Sequence, residues 1–246
     1  SIELHLEEYI PIGAGEAIFD FELVGDGSPT ADNKYDIIVT AVGRELVDAY
    51  YEVFSRAGFT LLSLEPESHS IARSLIKKGD KDTFMLVDIG RESTNLSVVG
   101  SSLIRLNSNI AIGGDSITRA ISKELKIDTK EAESVKHEKG MSPNKVNNQA
   151  FFATLSTVTV LKDEIVARYQ YWEELSVGAN GSKILSIILS GESGNLIGLA
   201  DYLDASIGIK VLVANPWVNV ASFADYIPPM QKVESLGYAT AIGLAL

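Results

Sequence analysis

The sequence predicts an α/β protein of two lobes. Short apolar runs rich in β-branched residues, typical of strands, alternate with segments whose apolar residues recur at helical spacing. One such alternation ends near residue 80, and a fresh unit with its own strands starts at Thr83. Two sets of strands, each followed by helices, indicate two separately packed lobes and no single continuous sheet.

In the first lobe, Ile37–Val42 is predicted to be a strand, and Arg44–Ala57 is predicted to be the helix that follows it. Gly58 is expected to end this helix, because glycine tolerates the positive φ of a helix C-terminus. The apolar run Thr60–Leu64 is expected to form a second strand, with a helix over residues 65–80 after it. This order gives a small α/β lobe.

The second lobe is predicted to open with the buried strand Phe84–Ile89. Two further strands lie on either side of the turn Gly100–Ser102, which indicates an antiparallel meander. Gly113 and Gly114 end the meander, and Asp115 is the expected N-cap of the next helix.

The region Thr129–Trp172 is predicted to be helical except around Met141–Pro143, and its second part has a seven-residue apolar rhythm. A helix packed on its own lobe is the favoured interpretation, and an intermolecular coiled coil is the alternative. Two strands and a terminal apolar helix complete the lobe, over Ile184–Leu189, Val211–Val213 and Tyr238–Leu246.

The composition excludes several classes of function. A formal net charge of −12 without a basic run argues against nucleic acid as a partner. The chain has no cysteine, and its three histidines lie far apart in the sequence, which argues against disulfides and a zinc site. No apolar run approaches the roughly 20 residues of a membrane-spanning helix, so we expect no direct membrane insertion.

The first motif with chemical meaning is Val87-Asp88-Ile89-Gly90, followed by Thr94. Asp88 can hold Mg²⁺ through the water ligands of the ion. The N–H groups of a tight turn at Gly90 and the hydroxyl of Thr94 can reach phosphate oxygens. Because Asp-x-Gly also ends many ordinary strands, a purely structural role remains the alternative.

Two further motifs follow along the chain. The turn after the strand Ile184–Leu189 contains Gly191, Ser193 and Gly194, and its glycines allow a flat ring or a phosphate to approach the backbone. Glu133 and Lys136 share one side of a helix and could bind a ribose together. A plain strand-to-helix turn and a surface ion pair are the respective alternatives.

The order of these motifs resembles the actin-like ATPase superfamily, which has a ribonuclease H-like fold. Asp-Ile-Gly-x-x-x-Thr precedes Gly-Gly, Ala-Glu-x-x-Lys, Ser-Gly-x-Ser and a final Ala-Thr-Ala-Ile-Gly-Leu-Ala. Within the superfamily the chain is most similar to the PilM family of type IV pilus assembly, and it is similar to FtsA too. The segments that carry the PilM resemblance are Glu8–Pro11, Ala57–Phe59, Ile112–Gly114, Asn215–Pro216 and Tyr238–Leu246.

This resemblance implies a division into domains and a nucleotide ligand. Residues 1–64 would be a small α/β interaction subdomain, and residues 65–80 a helix between the lobes. Residues 81–246 would be the nucleotide-binding lobe, with a helical insertion over 116–180. The implied cofactors are ATP and Mg²⁺, with weak or absent hydrolysis.

The resemblance also assigns roles to single residues. Asp88 would hold Mg²⁺, while Gly90 and Thr94 would face the β- and γ-phosphates. Glu65 matches an acid that orients water in some relatives. The remaining assigned residues contact the nucleoside or border its site, and they are Gly113, Gly114, Glu133, Lys136, Gly191, Ser193 and Gly194.

In function, the resemblance implies a cytoplasmic scaffold that docks the N-terminal cytoplasmic tail of a PilN-like inner-membrane protein. Pilus motor or platform proteins would be further partners, and self-association is left open. The protein would lie at the inner membrane only peripherally, through these partners. A division protein similar to FtsA and a small-molecule kinase of the same fold are the alternatives.

The chain departs from the superfamily pattern in three places. Arg91 and Glu192 stand where smaller residues are common, and both are expected to weaken nucleotide binding. No Asp-x-Gly hairpin precedes Asp88, although the superfamily has one near its N-terminus. We therefore expect an N-terminally truncated chain whose missing hairpin lies upstream of Ser1, and weak ATP binding by residues 1–246 alone.

Overall fold

The computed structural model describes residues 13, 15–24, 35, 37–142, 149–178, 182–222, 224 and 226–246. The similarity segment Glu8–Pro11 and the predicted break at Pro143 lie outside these residues. The chain forms two compact units, Ser1–Pro66 and Glu67–Leu246. Each unit has its own sheet, as the sequence predicts.

The first unit contains a two-stranded antiparallel sheet followed by a helix. Strand β1 (Ala17–Leu23) pairs with β2 (Ile37–Gly43), and Ala17 lies opposite Gly43. Helix α1 (Arg44–Arg56) follows directly. Gly58 has a φ of +78° and donates its N–H to the carbonyl of Ser55, so the predicted helix end is confirmed.

The predicted strand at Thr60–Leu64 is wrong. These residues form no ladder with any described strand, and the sheet of the first unit consists of β1 and β2. Leu62 is 91% exposed, whereas a strand of a packed sheet buries at least one face. An apolar run becomes a strand only where its backbone N–H and C=O groups find a neighbouring strand.

The second unit contains a five-stranded sheet in the order β5-β4-β3-β6-β7. Strands β3 (Thr83–Ile89), β4 (Thr94–Gly100) and β5 (Leu103–Ile110) form the predicted antiparallel meander. Strands β6 (Ile184–Ser190) and β7 (Val211–Val213) join it in parallel with β3. The carboxyl ends of β3 and β6 therefore meet at one edge of the sheet.

Seven α-helices of four to thirty residues accompany this sheet in the described part of the chain, together with a 3₁₀ turn, Leu236–Tyr238. In chain order the helices are α2 (Glu67–Leu75), α3 (Gly114–Leu125), α4 (Thr129–Lys139), α5 (Gln149–Gly178), α6 (Leu199–Ile207), α7 (Lys232–Ser235) and α8 (Ala239–Leu244). No helix in the described part of the chain is long and apolar enough to cross a membrane.

Two details of these helices bear on the predictions. The N-cap of α3 is Gly113 and not Asp115, because the backbone of Asp115 already belongs to the helix. The helix predicted over 65–80 is α2, which belongs to the second unit. The division of the chain at residues 64 and 80 remains our proposal.

The sheet of the second unit separates two apolar cores. Met85, Val87 and Ile89 of β3 point into the larger core with α3, α4, α5 and α6. Phe84 and Leu86, on the opposite face, pack with α2 and α8. Helix α5 contributes fully buried residues to the larger core, so the expectation that it packs on its own lobe is confirmed.

Helices α2 and α8 approach each other at a glycine. A Cβ atom at Gly243 would overlap the backbone carbonyl of Ser70, which is itself fully buried. The helices can reach this separation only because residue 243 has no side chain.

We expect Gly243→Ala to lower the free energy of unfolding by about 1–3 kcal/mol, because the added methyl forces two packed backbones apart. Urea denaturation would measure this change in the free energy of unfolding. Gly237→Ala is the matched control, since a Cβ atom there meets nothing within 4 Å, and its effect should stay within about 0.5 kcal/mol. Equal effects of the two changes would contradict this account.

Candidate functional site

A row of polar residues crosses the sheet of the second unit at the carboxyl end of β3. Asp88 lies opposite Asn95 of β4 and Ser190 of β6, and Asn95 in turn lies opposite Asn109 of β5. Residues directly opposite each other on neighbouring strands present their side chains to the same face. The row therefore lies on the same face of the sheet as Phe84 and Leu86. The smaller apolar core ends where this row begins.

Glu67, the first residue of α2, lies over this row. Its Oε2 accepts a hydrogen bond of 3.1 Å from Nδ2 of Asn95, and its Oε1 accepts one of 2.9 Å from the hydroxyl of Thr240. Sequence reasoning assigned a role to Glu65 and none to Glu67. The only signal in the sequence was an acidic residue in the first turn of a helix, directly after Pro66.

The surroundings of Asp88 disfavour its ionised form. Burial and, secondly, the nearby charge of Glu67 raise the pKa of Asp88 to about 6. The neighbouring Ser190 hydroxyl acts to lower this pKa. The Ser190 hydroxyl is fully buried, and it makes no hydrogen bond of normal geometry to Asp88 or to another described residue. Two polar groups at the end of the strands thus lack full compensation from the protein.

The turn after β3 is joined to the start of α3 by backbone hydrogen bonds. The N–H groups of Gly114 and Asp115 donate to the carbonyls of Gly90 and Arg91, at 2.9 and 2.8 Å. The guanidinium of Arg91 also contacts the carboxylate of Asp115, at 3.2 Å. A Cβ atom at Gly113 would lie 2.5 Å from the Arg91 carbonyl oxygen, so only glycine fits there.

Thr94 has a different environment from the one predicted. It is fully buried, and its hydroxyl donates a hydrogen bond of 2.7 Å to the carbonyl of Ile112. In this arrangement the hydroxyl of Thr94 ties the start of β4 to the segment that leads into Gly113, and its role towards a phosphate stays a prediction.

The turn after β6 packs closely on the end of β3. Gly191 has a φ of +80°, and a Cβ atom there would lie 2.5 Å from the carbonyl oxygen of Ile89. The N–H of Ser193 donates to the same oxygen at 3.1 Å. A Cβ atom at Gly194 would overlap the Ser190 carbonyl. Both glycines are therefore required for the backbone of this turn to approach its neighbours.

Glu133 and Lys136 form an ion pair on α4, with 2.6 Å between Oε1 and Nζ. Lys136 is only 3% exposed, which is unusual for lysine. The Thr118 hydroxyl and Nε2 of His137 also bind the Glu133 carboxylate. Partial burial acts to raise the pKa of Glu133, but the hydrogen bonds from Lys136, Thr118 and His137 and the Lys136 charge together lower it.

These segments meet at Gly114. A Cβ atom at this position would overlap the Ser193 hydroxyl and would lie 3.1 Å from Nζ of Lys136. The start of α3, the buried lysine of α4 and the turn after β6 therefore converge at one point, next to the turn at Gly90. Glu65 belongs to the first unit, and its role as a water-orienting acid stays a prediction.

The chain is similar in structure to the "PilM-PilN type IV pilus biogenesis complex", with a TM-score of 0.75 and 23% identity over 99% of this chain and 70% of that chain. It is also similar to MreB5 of Spiroplasma citri bound to ADP (TM-score 0.62, 16% identity, 83% of this chain and 65% of that chain). For the ethanolamine utilization protein EutJ from Carboxydothermus hydrogenoformans the TM-score is 0.51, with 20% identity over 83% of this chain and 61% of that chain.

These likenesses confirm the predicted actin-like ATPase fold. The chain spans 61% of the length of EutJ, 65% of MreB5 and 70% of the PilM–PilN chain. The family model described as "Type IV pilus assembly protein PilM" matches residues 1–246. The chain therefore belongs to the PilM family of type IV pilus assembly proteins.

Proposed function

We propose that this chain is a nucleotide-binding scaffold of type IV pilus assembly that docks the cytoplasmic tail of a PilN-like membrane protein. The observation that carries the nucleotide part is the convergence at Gly114, where Lys136 and Ser193 approach the start of α3. The three motifs, which are far apart in the sequence, are therefore neighbours in the fold. A binding site explains why a buried lysine lies beside two glycine turns better than a chance arrangement does.

The residues at this edge fit a nucleotide with its hydrated cation. Asp88 would hold Mg²⁺ through water ligands, and a cation there would offset the burial and the Glu67 charge that raise the pKa of its carboxyl. The ion would neutralise phosphate charge that the acidic chain cannot otherwise offset. Among the described residues no group of three or more acidic or histidine side chains forms a metal cage, which is compatible with binding through water.

Glu133 and Lys136 would contact the ribose. Both oxygens of Glu133 already accept hydrogen bonds, from Lys136 and His137 on one and Thr118 on the other, so the carboxylate is held in one orientation. A ribose hydroxyl would replace one of these donors without disturbing the others. The buried charge of Lys136 gives the site a fixed cation.

The glycine turns would shape the rest of the pocket. Gly90, Gly113 and Gly114 would border the phosphates, and the backbone of the turn at Gly191, Ser193 and Gly194 would border the adenine. We now give Thr94 a positioning role, because its hydroxyl is bound to Ile112. Glu65 remains the proposed water-orienting acid, and we propose weak or absent hydrolysis.

The docking part of the proposal draws on the PilM–PilN complex, whose chain this protein covers to 70%. Helix α1 of the first unit has no buried residue and exposes Leu46, Tyr50, Tyr51 and Val53. An apolar surface of this kind suits the apolar residues of a short tail. We further propose a cytoplasmic location, peripheral at the inner membrane through this partner and through motor or platform proteins.

We expect Asp88→Asn in the full-length protein to weaken binding of magnesium-ATP by about tenfold or more, while the affinity for magnesium-free ATP changes little, because the lost carboxylate acts through the ion. Calorimetric titrations with Mg²⁺ and with EDTA would compare the two. Equal losses in both would remove Asp88 from this role.

The same change has a second expected effect, on the protein without nucleotide. The folded protein binds the Asp88 proton more tightly than the unfolded chain, so the contribution of this group to stability is fully present below about pH 4 and is lost as the pH rises through about 6. Asp88→Asn should therefore raise the free energy of unfolding at pH 8 by about 1–3 kcal/mol, and the gain should shrink towards pH 4. Urea denaturation at the two pH values would measure it.

We expect Lys136→Met to weaken the binding of ATP and of ADP by about tenfold each, because ribose is common to both nucleotides. Methionine keeps the buried apolar part of the lysine side chain, so the packing should be preserved. Lys130→Met, at an exposed position of the same helix, is the matched control and should change neither affinity. Fluorescence titration with both nucleotides decides the point. A loss confined to ATP would contradict the ribose assignment.

Binding of the partner tail should resist salt, since an apolar surface and not paired charges would hold it. For a peptide from the cytoplasmic tail of the PilN-like protein, we expect Kd to change less than about threefold between about 0.1 and 0.5 M NaCl. Fluorescence anisotropy would follow the binding, and a steep rise of Kd with salt would exclude an apolar contact.

A further inference from the structure

Glu67 is fixed in place by residues from two other elements. One carboxylate oxygen accepts from Asn95 on β4 and the other accepts from Thr240 on α8, so the group cannot rotate freely although it is exposed to solvent. Asn95 is oriented in turn, because its own Oδ1 accepts a hydrogen bond of 2.7 Å from Asn109. Such a chain of contacts is more than a solvated surface acid requires.

The fixed carboxylate lies close to Asp88. Asn95, which donates a hydrogen bond to Glu67, lies directly opposite Asp88 on the neighbouring strand, and the Glu67 charge helps to raise the pKa of Asp88. Two carboxylates held near each other repel, which costs stability unless a cation or a shared proton offsets it. The hydrogen bonds from Asn95 and Thr240 keep Glu67 in this unfavourable position.

A third group at the same place also lacks a partner. The hydroxyl of Ser190 is fully buried on the strand beside Asp88, in the same register row, and makes no hydrogen bond of normal geometry to a described residue. Buried hydroxyls normally find a partner, and one without a partner calls for a ligand or a water molecule at that point. Asp88 and this hydroxyl therefore lie side by side in the row of polar residues that Glu67 contacts through Asn95.

We propose that Glu67 is the second acidic group of a divalent-cation site at Asp88, with Asn95 and Thr240 as the residues that position its carboxylate. The inference rests on the proposed function, because the cation is the one that accompanies the nucleotide. Glu67 would hold the ion through its water shell, as Asp88 does, and water molecules would complete the coordination.

A purely structural role is the competing explanation, in which Glu67 only ties α8 to α2. The two roles differ in what a neutral substitute does. Glu67→Gln keeps an oxygen that accepts one hydrogen bond, and α2 and α8 remain packed through Ser70 and Gly243. If Glu67 only joins the two helices, Glu67→Gln should change cation binding little. If Glu67 is part of a cation site, the same change removes one of the two negative charges of the site.

The test uses Mn²⁺ as the probe, followed by the loss of its free-ion EPR signal on titration into the full chain without nucleotide. We expect Glu67→Gln to raise the Kd for Mn²⁺ about fivefold or more, as Asp88→Asn does. Glu124→Gln, at an exposed position on α3, is the control and should change it less than twofold. An unchanged Kd for Glu67→Gln, or no saturable Mn²⁺ binding by the unaltered chain, overturns the proposal.

Two changes at Thr240 test the positioning role. Thr240→Val removes the hydroxyl that holds Glu67 and should raise the Kd for Mn²⁺ about threefold, whereas Thr240→Ser keeps the hydroxyl and should restore it. If both changes weaken Mn²⁺ binding equally, Thr240 acts through packing and the positioning part is wrong.

A nucleotide arm separates this proposal from the proposed function. Glu67→Gln should leave the affinity for ATP in EDTA unchanged. If the unaltered full-length protein binds Mn²⁺ through Glu67 but binds no ATP, the nucleotide function fails and the cation site stands. If it binds ATP and Glu67→Gln binds Mn²⁺ normally, the nucleotide function stands and the role of Glu67 is overturned.

Discussion

The close approach of three segments at Gly114 constrains the rest of the candidate site. The first N–H of α3 donates to the carbonyl of Gly90, so the start of the helix is joined to the turn after β3. On the other side of Gly114, Lys136 and Ser193 occupy the space that any side chain would need. Lys136 is held by Glu133, and Ser193 is held by the backbone of Ile89, so the position of each element depends on the others.

The placement of the site follows from the sheet. Strand β3 is apolar on both faces from Phe84 to Val87, as expected of a strand covered by helices on each side, and this pattern stops at Asp88 near its carboxyl end. At that edge Asp88 and Ser190 replace apolar residues, and the raised pKa of Asp88 shows that the replacement is unfavourable for the protein alone. Unfavourable polar groups at the carboxyl ends of parallel strands are typical of binding sites.

The sequence predicted the parts of the fold that depend on local pattern. The meander, the long helix and the end of α1 at Gly58 follow from apolar periodicity and glycine chemistry, and the structure has them. Strand β1 was missed, because its apolar residues are largely exposed and it gains its partner only through a hairpin. Thr60–Leu64 has the composition of a strand but no neighbour, and composition alone does not reveal this.

In the candidate site, too, short motifs could be recognised in the sequence, whereas contacts between distant residues could not. Asp88, Lys136 and Ser193 were proposed from motifs, since each lies in a short pattern with a chemical reason. Glu67 was missed because its significance comes from Asn95 and Thr240, which are 28 and 173 residues away in the chain. Thr94 was assigned to a ligand because its residue type fits, whereas its hydroxyl is directed by a carbonyl that no sequence pattern identifies.

The alternation of side chains along β3 has a consequence for how the chain reaches this fold. Successive residues point to opposite faces, so a slip of one residue against β4 or β6 would turn Asp88 into the larger apolar core and bring Val87 and Ile89 out of it. The uncompensated charge would make that misaligned sheet much less stable than the native one. The carboxylate that lowers the stability of the folded state thus also disfavours a shifted register of β3. It favours correct pairing of the strands during folding.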